Sequence, residues 1–148
     1  MRNFLMLSVL FLASLLAVGS SSAQSFDQNT NYGLLTSSAW ITDTVSSAVV
    51  KNTFGKGVHV VLDINDTAGT ASVTLVLQGK DETSGEYYTL LAGAAKTAPG
   101  VTDMVIYPGC IAAANVVANL PLPKLWRATL NVPAGDSVKA TVGASQIR

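Results

Sequence analysis

The length of 148 residues fits one domain. Only 12% of the residues are charged and the formal net charge is zero. Because lysine and arginine are not clustered, the chain is not expected to bind nucleic acid through its phosphates. The single cysteine, Cys110, excludes an intramolecular disulfide and a zinc site built on cysteine spacing. Such a weakly charged surface is what we expect of a subunit that buries much of itself against neighbours, and a small secreted domain can have a similar surface.

Residues Met1–Ala23 have the pattern of a secretory signal peptide. Arg2 supplies the positive charge, Phe4–Val18 is an uninterrupted stretch of apolar or small residues, and a small-x-small cleavage site precedes Gln24. The stretch is shorter than the run of about 20 residues that a membrane-spanning helix needs, so we expect no stable membrane span in the mature domain. The alternative interpretation is an apolar segment that is retained and anchors the chain in a partner or an assembly.

A polar stretch separates this segment from the first predicted strand. Residues 24–33 lack hydrophobic periodicity and are predicted to form a linker or an arm. The first strand is predicted over Leu34–Thr44, with Trp40 and Ile41 as its anchors. Residues Val45–Val50 are a candidate continuation of this strand after a bend.

The centre of the chain alternates between strand-like runs and turn residues. A turn is predicted at Asn52–Gly57, which is rich in the Gly and Asn residues that tolerate positive φ. Three runs of β-branched and aromatic residues follow: Val58–Ile64, Ala71–Leu77 and Glu86–Leu91. The polar stretches Asn65–Thr70 and Gly79–Gly85 are predicted to be the turns between them. This spacing is typical of an antiparallel all-β domain.

The last third of the chain contains three further predicted strands: Val101–Tyr107, Lys124–Val132 and Ser137–Ser145. A loop at Ala92–Gly100 precedes them, and a turn at Pro133–Asp136 separates the last two. Alternation in the second strand places four residues on one face: Trp126, Ala128, Leu130 and Val132. In the third strand, one face carries Val138, Ala140 and Val142. We expect both of these faces to be buried.

The segment Ile111–Asn119 is compatible with a short helix or with a loop, and the two prolines of Leu120–Pro123 would end any helix there. Together the predicted elements give about eight strands in one domain over residues 34–148. We therefore predict an all-β fold, a single antiparallel β-sandwich of jelly-roll or immunoglobulin-like type, with an apolar N-terminal segment.

The residue types that carry chemistry are better explained by structure than by catalysis. His59, the only histidine, lies within a predicted strand and lacks the partners of a catalytic triad or a metal site. Two groups of acidic and amide residues lie in or directly beside predicted turns: Asp63, Asn65 and Asp66, and Asp81, Glu82 and Glu86. Cys110 is expected to be a buried, unreactive thiol. We predict no enzymatic activity, catalytic residue, metal site or cofactor.

Three aromatic residues are candidate contacts to a ligand or a partner: Trp40, Tyr87 and Tyr88. On an exposed sheet face, such rings could stack on the sugars of a glycan. Adjacent residues of a strand point to opposite faces, so at most one of Tyr87 and Tyr88 lines a given surface. Trp126 alternates with Leu130 and Val132 and is expected in the core.

An ordered series of motifs resembles a group of small tailed-bacteriophage structural proteins. The series is KGVHVVLDI, LVLQGKDETSGEYYTLLAGAA, VIYPG, LPLPKLWRATL and VGAS. It covers about Leu34 to Ser145, most of the mature chain. The resemblance implies a virion component, either a capsid decoration or a tail- or fibre-associated subunit. Its implied partners are other virion proteins of the capsid or tail and further copies of the chain, and it carries over no catalytic residue.

Two other functions remain open at this point. The signal-like N-terminus and the tyrosine and tryptophan content also fit a secreted β-sandwich module that binds a glycan or a cell-surface partner. An extracellular filament subunit, whose protomers are joined by the apolar N-terminus or by a donated strand, fits the same features.

Overall fold

The computed structural model describes residues 30–69 and 72–148. In these two ranges the chain forms ten β-strands and no helix, so no described helix could cross a membrane. The strands are β1 (Asn31–Thr36), β2 (Val45–Ser46), β3 (Val50–Lys51), β4 (Gly57–Ala68), β5 (Thr74–Lys80), β6 (Tyr87–Ala92), β7 (Gly100–Ile106), β8 (Val117–Ala118), β9 (Leu125–Asn131) and β10 (Ser137–Ile147). The predicted segment Met1–Ala23 lies outside the described residues.

The strands form two five-stranded sheets. Sheet 1 has the order β1-β10-β4-β7-β8, and sheet 2 has the order β2-β9-β5-β6, with β3 also paired to β9. All pairings between these strands are antiparallel except β7 with β8, which is parallel. The predicted all-β class is confirmed. The structure has ten strands where about eight were predicted, because the predicted continuation Val45–Val50 is divided between two short strands and because β8 lies in the segment that was left ambiguous.

The core forms where alternating residues of both sheets are buried. In β9 the predicted face is confirmed, since Trp126, Ala128 and Leu130 have no exposed surface. In β10 the predicted face is also confirmed, with Val138 and Ala140 fully enclosed. Buried residues of β4, β5 and β7 join these side chains in a single hydrophobic cluster. Because this burial is the main favourable term in folding, the cluster holds the two sheets together.

Strand β4 extends beyond its predicted end. The stretch Asn65–Thr70 was predicted to be a turn, but β4 continues through Asn65 to Ala68. Ile64 pairs with Ala140 and Asp66 with Lys139, so Asn65 is the additional residue of a β-bulge. Pairing with a long partner strand therefore overrides the turn preference of Asn and Asp. The turn predicted at Gly79–Gly85 is shorter for the same reason, because Gly79 and Lys80 belong to β5.

The first predicted strand is displaced and interrupted. Strand β1 begins at Asn31 and ends at Thr36, because the strand β10 supplies partners as far as Ser145. Trp40 is 40% exposed and does not anchor the core; instead the Lys139 ammonium lies 4.6 Å from the centre of its ring. Ile41 does contact the core, through a bridge to Val138. The predicted continuation Val45–Val50 is divided between β2 and the first residue of β3, which both pair with β9.

The ambiguous segment before β9 is a loop. Residues 114–116 form a turn, Ala113 bridges to Val117, and β8 follows as a short parallel partner of β7. Cys110 was predicted to be buried, but its side chain is only half-buried. Its thiol donates a hydrogen bond to the carbonyl oxygen of Tyr107 at 2.8 Å, which gives the side chain a local structural role.

Candidate functional site

The longest connection between strands of the described chain, which joins β7 to β8, lies at one end of the two sheets. Strands β4 and β9 begin at this end, and β5, β7 and β10 end there. The backbone N–H of Leu122 donates to the carbonyl of Lys56 at 3.0 Å, and the side-chain amide of Asn52 donates to the carbonyl of Leu122 at 3.0 Å. These bonds join the confirmed turn before β4 to the segment that leads into β9. We call this end of the sheets the loop end.

An uncharged apolar protrusion stands at the loop end. The segment Pro108–Pro123 contains no lysine, arginine, aspartate, glutamate or histidine. Within it, the six consecutive residues Ile111–Val116 are all exposed, and 92% of the Ile111 surface is accessible. We call Ile111–Val116 the contact loop. Consecutive exposed apolar residues are disfavoured on a solvated surface, so their presence indicates a surface that meets another molecule.

Hydrogen bonds hold both ends of the contact loop. The N–H of Val105 donates to the carbonyl of Val116 at 2.8 Å, and the N–H of Gly109 donates to Oδ1 of Asn119 at 2.7 Å. Within the loop, the N–H of Val116 donates to the carbonyl of Ala113 at 3.1 Å, which closes a turn. Asn115 has a φ of 63°, a left-handed conformation that asparagine tolerates better than most residues. A loop fixed in this way loses little conformational entropy when it is covered.

The three predicted contact residues are not brought together. Tyr87 and Tyr88 lie at the loop end, where β6 begins, while Trp40 precedes the bridge to Val138 at the opposite end. The Arg127 guanidinium lies 3.4 Å from the centre of the Tyr87 ring. Tyr88 is 47% exposed, but its ring lies across Gly79 on the neighbouring strand. Both tyrosine rings therefore have contacts within the sheet.

A polar network surrounds Tyr87 on the outer face of sheet 2. Arg127 donates through Nε to Oε1 of Gln78 at 2.9 Å, and the hydroxyl of Thr129 donates to the same oxygen at 3.1 Å. The hydroxyls of Thr129 and Ser46 are 2.8 Å apart and share a hydrogen bond. Because Arg127 covers the Tyr87 ring and is itself hydrogen-bonded, this face is occupied by the protein's own side chains.

The acidic group at the β5–β6 hairpin stabilises a turn. The carboxylate of Asp81 accepts hydrogen bonds from the hydroxyl of Ser84 at 2.6 Å and from the backbone N–H groups of Thr83 at 3.2 Å and Ser84 at 3.1 Å. The Ser84 hydroxyl and these two N–H groups lower the pKa of Asp81 below its ordinary value. Glu82 forms an ion pair with Lys124, whose Nζ lies 2.7 Å from Oε2. The predicted turn interpretation of these acidic residues agrees with the contacts.

His59 lies in β4, as predicted, and its side chain is on the outer face of sheet 1. Its Nε2 is 3.5 Å from Oδ2 of Asp103, and both side chains are well exposed. Register also places Ser145 directly opposite His59, which the sequence did not reveal. The Ser145 hydroxyl, however, donates to Oδ1 of Asn31 at 2.6 Å. Among residues 30–69 and 72–148, no group of three His, Cys, Asp or Glu side chains could hold a metal ion.

The contact loop was missed as a site by the sequence reasoning, which considered only whether Ile111–Asn119 is helix or loop. The available signal was the length of the uncharged segment Pro108–Pro123. Comparison with known proteins finds no matching family model and no matching curated protein.

Proposed function

We propose that this chain is a non-enzymatic virion structural protein, a capsid decoration or tail-associated subunit that works by contact. The observation that carries the proposal is the contact loop, which presents six consecutive exposed residues without a charge. Specific interfaces are depleted of charged residues at their centre and pack as densely as protein interiors. A loop that is apolar and fixed by its own hydrogen bonds has the properties of such a centre.

We also propose that the two sheets pack face to face as a jelly-roll sandwich. When the two-residue strands β3 and β8 are set aside, eight strands remain. If these eight are renumbered 1 to 8 along the chain, sheet 1 has the order 1-8-3-6 and sheet 2 has the order 2-7-4-5. Every connection except the β5–β6 hairpin then passes from one sheet to the other. The rings of Tyr32 in β1 and Trp126 in β9 meet edge to face with their centres 6.4 Å apart, which supports the packing of one sheet on the other. Jelly rolls are common in viral capsid domains, and this analogy at the level of the fold supports the virion proposal.

The motifs of the phage resemblance coincide with elements of the fold. The GVHVVLD motif lies in β4, and the QGKD and GEYYTLL motifs form the β5–β6 hairpin. The YPG motif is the turn after β7, where Gly109 has a φ of 86°. The LWRATL motif is β9, and VGAS lies within β10. Each motif thus lies on a strand or a turn of the fold.

Jelly rolls also occur as lectin domains, so a secreted glycan-binding module is the competing function. A glycan platform requires aromatic rings on one accessible surface. Trp40 and the two tyrosines lie at opposite ends of the sheets, and the Tyr87 ring is covered by Arg127. These positions favour the structural function over the glycan-binding function.

The decisive experiment is mass spectrometry of particles purified from the culture in which the chain is naturally made. We expect the chain to be present in many copies per particle. The variant Ile111→Ser should be incorporated less than the wild type, because it removes the most exposed apolar side chain of the contact loop. The matched control is Val101→Ser, since Val101 is 69% exposed on β7 outside the contact loop. Particles without this chain would refute the virion function.

A further inference from the structure

We propose that the contact loop of one copy of this chain docks into a depression on the outer face of sheet 1 of another copy, so that the chain associates with itself head to tail. The inference rests on the proposed function, because both treat the contact loop as an assembly surface. It goes further by naming the partner and the surface that receives the loop.

The depression lies over β1, β10 and β4 and has a volume of about 260 Å³. Its floor and rim include Asn31, His59, Val61, Gly143 and Ser145. Among the described residues that line it, none is a lysine, an arginine or a carboxylate. The depression therefore offers an apolar floor with a few hydrogen-bonding groups at its rim, and the carboxylate of Asp103, opposite Val61 on the neighbouring strand, lies 3.5 Å from Nε2 of His59 at its edge.

Gly143, which lines the depression, is paired with a second glycine. Gly33 of β1 and Gly143 of β10 pair directly across the sheet, so neither strand places a side chain at this point. Neither residue has a positive φ, and a Cβ would stand 3.8 Å from its nearest neighbour at both positions. The fold thus has room for a side chain at each glycine and does not need the conformational freedom of glycine there. Gly33 lies beside the β-bulge of β1, which is one of the places where strands use glycine. Gly143 lies in a regular part of β10, and because glycine weakens a strand, its use there fits the close approach of another molecule to the backbone.

The contact loop has the properties that this depression would accept. It is uncharged, and Ile111 protrudes beside a run of three alanines, Ala112–Ala114. Val61 gives the depression an apolar floor, and the contact loop brings apolar side chains that would be removed from water there. A loop without charge also places no like charge beside the Asp103 carboxylate, which lies 3.5 Å from His59.

The two surfaces face different neighbours. The contact loop precedes β8, which is one edge of sheet 1, and the depression includes β1, which is the opposite edge. Two different patches at opposite edges form a heterologous contact, in which each copy uses its loop on one neighbour and its depression on another. Such contacts give a closed ring when the rotation between copies closes and a filament when it does not.

The first test measures the association of the purified full chain by sedimentation velocity at concentrations up to about 1 mM, the weak end of specific binding. We expect the wild type to associate. Ile111→Ser should weaken association about 10- to 100-fold, the change expected for one buried aliphatic side chain. Gly143→Val should weaken it at least as much by filling the depression. Val101→Ser, outside both surfaces, should associate like the wild type.

Gly143→Val also separates loss of association from loss of folding. Because its backbone is compatible with any residue and a Cβ has room, the variant should melt at the same temperature as the wild type or higher. A variant that is at least as stable and yet monomeric would show that the depression itself is the contact. Wild-type association by Gly143→Val, or a monomeric wild type, would overturn the inference.

A mixing experiment tests the head-to-tail geometry. Ile111→Ser keeps an intact depression, and Gly143→Val keeps an intact contact loop. Each variant alone should be monomeric, whereas an equimolar mixture should form a dimer that grows no further, because only one functional loop and one functional depression meet. A mixture that stays monomeric would overturn the proposed pairing of these two surfaces.

The outcome is independent of the test of the virion function. Particles that contain the chain, together with a monomeric purified chain, would overturn head-to-tail association alone. Association that responds to both variants, together with particles that lack the chain, would overturn the virion function alone.

Discussion

Trp126 is the largest fully buried side chain of the described residues, and its indole N–H has no hydrogen-bond partner among them. We expect Trp126→Ala to lower the free energy of unfolding by about 3–5 kcal/mol through the lost contacts and the cavity. Trp126→Phe should cost clearly less, because it also removes a buried unpaired donor that costs about 1–3 kcal/mol. Denaturant unfolding followed by circular dichroism measures both. Equal costs for the two variants would contradict this account.

Asp81 gives the β5–β6 hairpin a dependence on pH. Because hydrogen bonds from Ser84 and Thr83 hold the pKa of Asp81 below its ordinary value, the folded state favours the ionised carboxylate. The stabilisation is present above the pKa of the unfolded chain and is lost as the pH falls through the lowered pKa of the folded chain. The difference in melting temperature between the wild type and Asp81→Asn should therefore be constant near neutrality and shrink below about pH 4.

Ser84→Ala is the matched variant for this prediction. The Ser84 hydroxyl is the largest cause of the lowered pKa. We expect the pKa of Asp81, measured by NMR titration, to return toward its ordinary value when this hydroxyl is removed. An unchanged pKa would show that the backbone N–H groups alone stabilise the carboxylate.

At the scale of elements, the β5–β6 hairpin depends on one tyrosine lying over one glycine. A Cβ at Gly79 would stand 2.5 Å from Cζ of Tyr88, which is closer than real contacts allow. Gly79→Ala should therefore displace the ring, and because the atoms met are the far end of a half-exposed side chain, it should lower the free energy of unfolding by only about 1 kcal/mol. In a Tyr88→Ala background the same change should cost little, because the clash is gone. A double-mutant cycle that gives additive effects would show that the ring does not pack on Gly79.

The predicted elements are accurate where the sequence pattern that defines them lies within the element itself. Alternation in Lys124–Val132 placed Trp126 correctly in the core, because a period of two is a property of the strand itself. Alternation could not place Trp40, whose exposure depends on where Ile41 meets Val138. The stretch Asn65–Ala68 has turn composition but pairs with β10. The missed boundaries are thus those set by a partner strand that is distant in sequence.

At the scale of the molecule, one hydrophobic cluster joins both sheets, so they should unfold together. Leu62 of β4 and Leu75 of β5 are each 2% exposed and belong to different sheets. We expect Leu62→Ala and Leu75→Ala each to lower the free energy of unfolding by about 2–5 kcal/mol. In both variants, circular dichroism and tryptophan fluorescence should report one transition with one midpoint. Separate transitions for the two probes would show that the sheets are independent.

The candidate site was only partly accessible from the sequence. Tyr87 and Tyr88 were predicted as possible contacts because they are aromatic residues of a strand, but Arg127 and Gly79 engage them from neighbouring strands. The contact loop had a sequence signal, an uncharged segment between prolines, but its exposure follows from the hydrogen bonds that hold it beside β7.

The order of residues along the chain determined the all-β class, the buried faces of β9 and β10 and the turns before β4 and β10. These features follow from side-chain alternation and turn chemistry, which act over a few residues. Tertiary structure decided the start of β1, the bulge at Asn65 and the depression beside Gly143, because each depends on which strands become neighbours. Asn31 and Ser145 share a hydrogen bond across 114 positions of the chain, and no local pattern encodes a contact of that separation.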